Sequence, residues 1–226
     1  MDIFNRLLTP VREPLVNLDY LLELSQQRRK IIGIFDLEST EFTSHPDFGI
    51  TEVGLLFVLP EDKPFKGSRI VTAAALVDPK RPIGFRARDV TGITQKMVTG
   101  QPDFKQAWTT PFRYMFKNYM MMGFNSKSFD QHAVIKDADR HGETIALPEQ
   151  HADIKTIANR LNSRRKGKLD EYASMYGVER PGDAHRALSD VYVTGGLANN
   201  LIERHGMELF LEKSDLPMDV ANKLTP

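Results

Sequence analysis

The spacing of apolar positions changes along this 226-residue chain, and each change marks an element. Val16 to Lys30 (VNLDYLLELSQQRRK) carries leucines at helical spacing and ends in cations that suit a helix C-terminus, which predicts a helix laid on the outside of the domain. Three strands are predicted next, at about 31–37, 50–58 (ITEVGLLFV) and 69–77 (RIVTAAALV), parted by stretches rich in Pro, Gly and Asp. Their short connections favour an antiparallel meander. From about 103 the period lengthens. Asp103 and Gln106 have the spacing of a capping box, and Phe104, Ala107, Trp108, Phe112, Met115 and Phe116 form an apolar helical stripe that reads as core. Tyr119 to Phe124 (YMMMGF) reads as a buried strand and FDQHAVIKDADRHG as a helix ending at Gly142. Further helices are predicted near 151–162, 168–176 and 184–205, and residues 1–14 read as an irregular lead. A meander followed by strand and helix alternation predicts an α/β or α+β domain with a mixed sheet.

Composition narrows the class. An apolar content of 41% suits one domain of ordinary size with a core able to fold unaided. Lys plus Arg and Asp plus Glu each number 30, so no global basic field draws in nucleic acid, and any polyanion must be held locally. The absence of cysteine removes disulfides and thiolate zinc sites and fits a reducing compartment. No run of about 18 apolar residues offers a membrane span, so the expectation is a cytoplasmic protein with no membrane partner.

The segment Ile31 to Glu38, IIGIFDLE, carries the chemistry. Residues two apart on a strand face the same way, so Asp36 and Glu38 present two carboxylates side by side at the end of an apolar strand. Like charges with little water between them raise one another's pKa unless a cation intervenes, and hard divalent ions prefer carboxylate oxygens. Taken alone, the pair fits a strand end fraying into a solvated loop better than it fits a cation site. Two further acids alter the balance: Asp130 follows the apolar strand in GFNSKSFDQH, and Asp190 lies among apolar helical neighbours in HRALSDVYV, where a buried acid needs a partner. His185 and Asp190 would lie roughly 140° apart on a regular helix. They converge only if His185 belongs to the loop or first turn marked by Gly182 and Asp183, with Asp190 well inside the helix; a neutral imidazole there could take a proton from water.

FDLEST, NSKSFD and HRALSD, in that order, resemble the three motifs of the DEDDh 3′-to-5′ exonucleases, the family that includes the proofreading subunit of bacterial replicative polymerase. The likeness spans about residues 30–205, with 1–29 as a helical extension and 206–226 as a polar tail. It implies a ribonuclease-H-like fold, α/β with a mixed sheet flanked by helices. It also implies two divalent ions, Mg²⁺ or Mn²⁺, held by Asp36, Glu38, Asp130 and Asp190, with His185 as general base. The implied substrate is a single-stranded 3′ end, DNA ahead of RNA, releasing nucleoside 5′-monophosphates, with a polymerase or another protein as a candidate partner. By the same resemblance Leu37, Ser39 and Thr40 touch the terminal nucleotide, and Asn125 and Phe129 shape its pocket. The chain departs from the common pattern where Ser39, Thr40 and Glu41 follow Glu38, and where Thr91 to Thr94 replace His-Gly-Ile-Thr. RLNSRRKGK (Arg160 to Lys168) places five cations in a predicted loop, and Arg164, Arg165 and Lys166 are expected to grip substrate phosphates. An RNA-trimming exoribonuclease and a noncatalytic nucleic-acid-binding module of the same fold are the alternatives.

Overall fold

Alternation along one central strand sorts the molecule into two apolar layers. In a computed structural model describing residues 2–163 and 166–216, that strand is β2 (Ile32–Ser39). Its Ile32 and Ile34 belong to one buried cluster, and Phe35 and Leu37 belong to a second on the opposite face. The sheet has the order β1 (Thr9–Val11), β4 (Ile70–Leu76), β3 (Ile50–Val58), β2, β5 (Met120–Gly123) and β6 (Gln150–Asp153). β2, β3 and β4 form the expected antiparallel meander, β1 adds an antiparallel edge, and β5 and β6 run parallel to β2. This mixed sheet flanked by helices has the fold class that the motifs imply.

The first layer holds α2 (Asp19–Arg28), α8 (Ile154–Leu161), α9 (Leu169–Met175), α10 (Ala187–His205) and α11 (Met207–Lys213). α10 is apolar almost all round and buried along most of its length, as a helix enclosed by sheet and neighbouring helices must be. Gly195 lets it close on the sheet, since a Cβ there would meet Ile34 Cδ1 at 3.1 Å and Leu18 Cδ2 at 3.2 Å. The second layer takes Phe4 of α1 (Asp2–Leu7), α5 (Phe104–Ala107), α6 (Thr109–Asn118) and α7 (Asp130–Arg140). The capping box of Asp103 with Gln106 is present, and all six members of the predicted stripe are buried.

Several elements depart from the sequence reading. Residues 1–14 contain α1 and β1; Pro10 sits in β1, an edge position where its missing N–H costs no central ladder bond. Residues 150–153 are strand β6 rather than the start of a helix, because the parallel pairing with β5 overrides a short and ambiguous pattern. The stripe from 103 is two helices meeting at Trp108, whose φ and ψ of −120° and −25° leave helical geometry. Two short helices, α3 (Phe85–Thr91) and α4 (Gln95–Val98), lie where sequence gave no periodic signal. Within the stretch read as a polar tail, α11 packs a fully buried Phe210 into the first layer. No helix among the described residues is long and apolar enough to cross a membrane.

Candidate active site

β2 runs apolar through Ile32 and Ile34 and then presents Asp36 and Glu38 on that same face. The register explains how α10 reaches them. Asp36 pairs with Gly54 of β3, and a Cβ on Gly54 would lie 2.4 Å from the carbonyl carbon of Ala187. The start of α10 therefore rests directly on bare backbone beside Asp36. Asp190 stands in this first turn, 7% exposed, with its N–H donated to the Arg186 carbonyl at 3.0 Å; the expectation had set it deeper in the helix. From the opposite side α7 begins with Asp130, 4% exposed, whose Oδ1 accepts the Leu37 N–H at 3.1 Å. That bond ties Asp130 to the backbone between the first two acids.

His185 lies in the loop before α10 with a left-handed φ of 57°. This turn achieves what a regular helix cannot: a ring nitrogen of His185, a carboxylate oxygen of Glu38 and one of Asp190 all lie within 4.8 Å of one another. The imidazole itself is exposed, so water reaches it freely.

The acids pay electrostatically for this gathering. Burial, then repulsion from Asp130, Glu38 and Asp190, holds Asp36 well above the carboxylate range. Glu38 is raised to about 9, first by burial and then by Asp190, Glu52 and Asp130. Asp130 is raised to about 7 by burial, although backbone N–H donors pull it down. Burial also raises Asp190, against the opposing pull of Arg180 and His185. Carboxylates gathered in this way could be neutralised by a bound cation, and Glu38, His185 and Asp190 lie close enough together to hold one.

Three residues escaped the sequence reading. Glu52 stands opposite Glu38 in the β2–β3 register, accepts the Ala187 N–H at 3.0 Å, and holds Arg186 through bonds of 2.6 and 3.1 Å. It thus caps α10 and supplies a cation beside His185. Arg180 reaches Asp190, Ser189 Oγ and Asp170 together. Glu52 could have been found by counting in twos from Gly54; the two arginines needed the tertiary fold.

The predicted substrate contacts divide. Ser39 and Phe129 line a crevice of about 170 Å³ that begins at Glu38 and continues along Phe42, Arg86 and Val90. The Leu37 N–H is occupied by Asp130, and Thr40 is fully buried, with its hydroxyl donated to the Asp47 carbonyl and its N–H to the Gly49 carbonyl. Asn125 has a φ of 64°, and its carbonyl accepts the Phe129 N–H, so it shapes the turn into α7. Arg164 and Arg165 lie outside the described residues, and Lys166 is exposed. Arg160 belongs to α8 rather than to a loop and is paired with Asp215 at 2.8 Å.

The sequence profile of the exonuclease (RNase T) family matches residues 34–197, a span holding all four acids and the histidine. The chain belongs to this exonuclease family. It is 30% identical over 162 residues to the DNA polymerase III PolC-type protein of Clostridium perfringens, covering 71% of this chain and 10% of that protein. It therefore spans about a tenth of that relative's length. Among solved structures, exonuclease X in complex with 5′ overhanging duplex DNA superposes with a TM-score of 0.55 at 22% identity, covering 77% of this chain and 93% of that one. E. coli exonuclease I in complex with a dA16 oligonucleotide gives a TM-score of 0.65 at 16% identity, over 80% of this chain and 42% of that one. These superpositions establish the ribonuclease-H-like fold.

Proposed function

We propose that this exonuclease domain hydrolyses the last phosphodiester bond at a 3′ end and releases a nucleoside 5′-monophosphate, with single-stranded DNA as its preferred substrate. The observation that carries the reading is the meeting of Glu38, His185 and Asp190 within 4.8 Å on the strand face that also carries Asp36. Asp36, Glu38, Asp130 and Asp190 would hold two divalent ions, Mg²⁺ or Mn²⁺, which when bound supply charge neutralisation and Lewis acidity at the scissile phosphate. His185, exposed and flanked by two carboxylates, accepts the proton of the attacking water. Water's oxygen forms the new bond to phosphorus, the bond to the 3′ oxygen breaks, and that oxygen leaves protonated by solvent. The Ser39–Phe129 crevice receives the terminal nucleotide, and Lys166 with Arg164 and Arg165 remains a proposed phosphate contact. DNA is favoured because both superposed exonucleases hold DNA, and the PolC-type relative makes a polymerase the first partner to test.

The deciding experiment is product analysis on matched DNA and RNA oligomers with either end blocked, with Mg²⁺, Mn²⁺ or EDTA. The expected result is mononucleotide release from unblocked 3′ DNA ends, lost in EDTA and in Asp36→Ala. Preferential digestion of RNA would reassign the substrate, and binding without mononucleotide release would overturn the reading.

A further inference from the structure

The crevice that starts at Glu38 ends against α3, and the outer side of that helix has a composition unusual for a solvated surface. Phe85, its first residue, is 72% exposed, more than any other large apolar side chain among the described residues. The guanidinium of Arg88 lies over its ring at 4.7 Å, and the next residue, Arg86, is exposed and without a carboxylate partner among the described residues. Among the described residues Arg88 has one ion-pair partner, Asp89, at a long, exposed 3.6 Å. The helix is firmly placed relative to the acids. Gly84 donates its N–H to the Thr40 carbonyl at 3.3 Å, and a Cβ there would lie 3.1 Å from the same oxygen, so α3 starts on the backbone just beyond Glu38. Arg86, the chain neighbour of Phe85, lines the crevice with Ala87 and Val90, so the helix that walls the crevice carries the exposed ring on its outer side.

We infer that Phe85 and Arg88 form an outer strand-binding subsite, in which the ring stacks on a base upstream of the terminal nucleotide and Arg88 meets its phosphate. The inference rests on the proposed exonuclease reading and adds a second contact region to it. The occupant is a nucleic-acid strand because the surface pairs an aromatic face with exposed cations, of which Arg86 has no carboxylate partner among the described residues, and because Arg86 also lines the crevice that starts at the acids. A chain with no net charge must concentrate its phosphate contacts locally, and this wall does so.

The test separates the two regions. The p-nitrophenyl ester of thymidine 5′-monophosphate reaches only the acids, whereas oligothymidylates of about three to twelve nucleotides extend progressively outward. In the wild type KM should fall with oligomer length; in Phe85→Ala that gain should disappear, with about a tenfold higher KM for the longest oligomer. Arg88→Ala should make the salt dependence shallower by about 0.7 in log–log slope. Phe85→Trp should restore the length effect, and kcat/KM for the small ester should stay unchanged throughout. Wild-type length dependence in Phe85→Ala and Arg88→Ala, with normal ester hydrolysis, overturns the subsite and leaves the exonuclease reading intact. If the wild type hydrolyses neither substrate, the exonuclease reading fails, and anisotropy of a labelled dT10 still decides the subsite: equal binding by wild type and Phe85→Ala rejects it.

Discussion

Glu38 and Glu52 face each other across the β2–β3 register, and Arg186 binds Glu52 through both carboxylate oxygens. Two like charges directly opposite are destabilising in a sheet, so the arginine and the Ala187 N–H make the arrangement tolerable. Glu52→Gln keeps an acceptor for the cap but removes the anionic partner of Arg186. The expected loss is on the order of 1–2 kcal/mol, discounted because Arg186 is partly exposed. A fall in kcat should accompany it, since Arg186 adjoins His185. Urea denaturation with steady-state kinetics checks both, and an unchanged midpoint and kcat would remove Glu52 from its positioning role.

The raised carboxylates make the metal-free protein sensitive to pH in a defined direction. Glu38 moves from 4.5 to about 9 and Asp130 from 3.8 to about 7 on folding. A folded pKa above the unfolded one stabilises below the unfolded value, so their contribution is complete below about pH 4 and lost as pH rises toward 9. Glu38→Gln should therefore abolish turnover yet raise the melting temperature in EDTA at pH 8 by about 2–4 °C for each kcal/mol gained. Mg²⁺ or Mn²⁺ should raise the wild-type melting temperature at that pH and have a smaller effect on the variant. Thermal melts across pH, with and without chelator, provide the measurement; a lower melting temperature for Glu38→Gln in EDTA contradicts the account.

His185→Asn removes the imidazole while keeping a residue that accepts left-handed backbone. The expected kcat drop is about 10²- to 10⁴-fold with stability unchanged, because the side chain is exposed and buries little. Retention of more than a tenth of wild-type kcat would assign the proton to another group.

Gly54→Ala tests the contact that seats α10. The added methyl would meet the Ala187 carbonyl carbon and oxygen at 2.4 and 2.5 Å, backbone atoms that cannot rotate away. Overpacking of this kind costs about 1–3 kcal/mol, and lifting the helix start should separate Asp190 and His185 from Asp36 and Glu38. Activity should fall more than stability does. A folded variant with wild-type metal affinity and kcat would show that the close approach is dispensable.

Much of this site is visible in the linear sequence because strand alternation is a strict rule: Asp36 and Glu38 must share a face whatever the tertiary fold. The buried apolar helix around Asp190 and the strand before Asp130 were also readable from local pattern. His185 was harder, since its approach depends on a left-handed turn that periodicity does not encode. Glu52 and Arg186 were missed because their roles arise from strand register and from a contact spanning 134 residues, and Arg180 because it bridges Asp170 to Ser189 and Asp190 from an irregular loop that has no period of its own. The short elements β1, β6, α3 and α4 were missed for a related reason: each is set by what it packs against and is too brief to show a period of its own.

The family profile begins at residue 34, yet Leu18, Leu21 and Leu24 lie beneath α10 and the Tyr20 N–H is donated to Asn199 Oδ1 of that helix at 2.8 Å. The leading segment is thus a brace for the helix on which Asp190 rides. A boundary drawn by homology alone would cut away this underlay, and the resulting fragment should bind metal poorly even where it still folds.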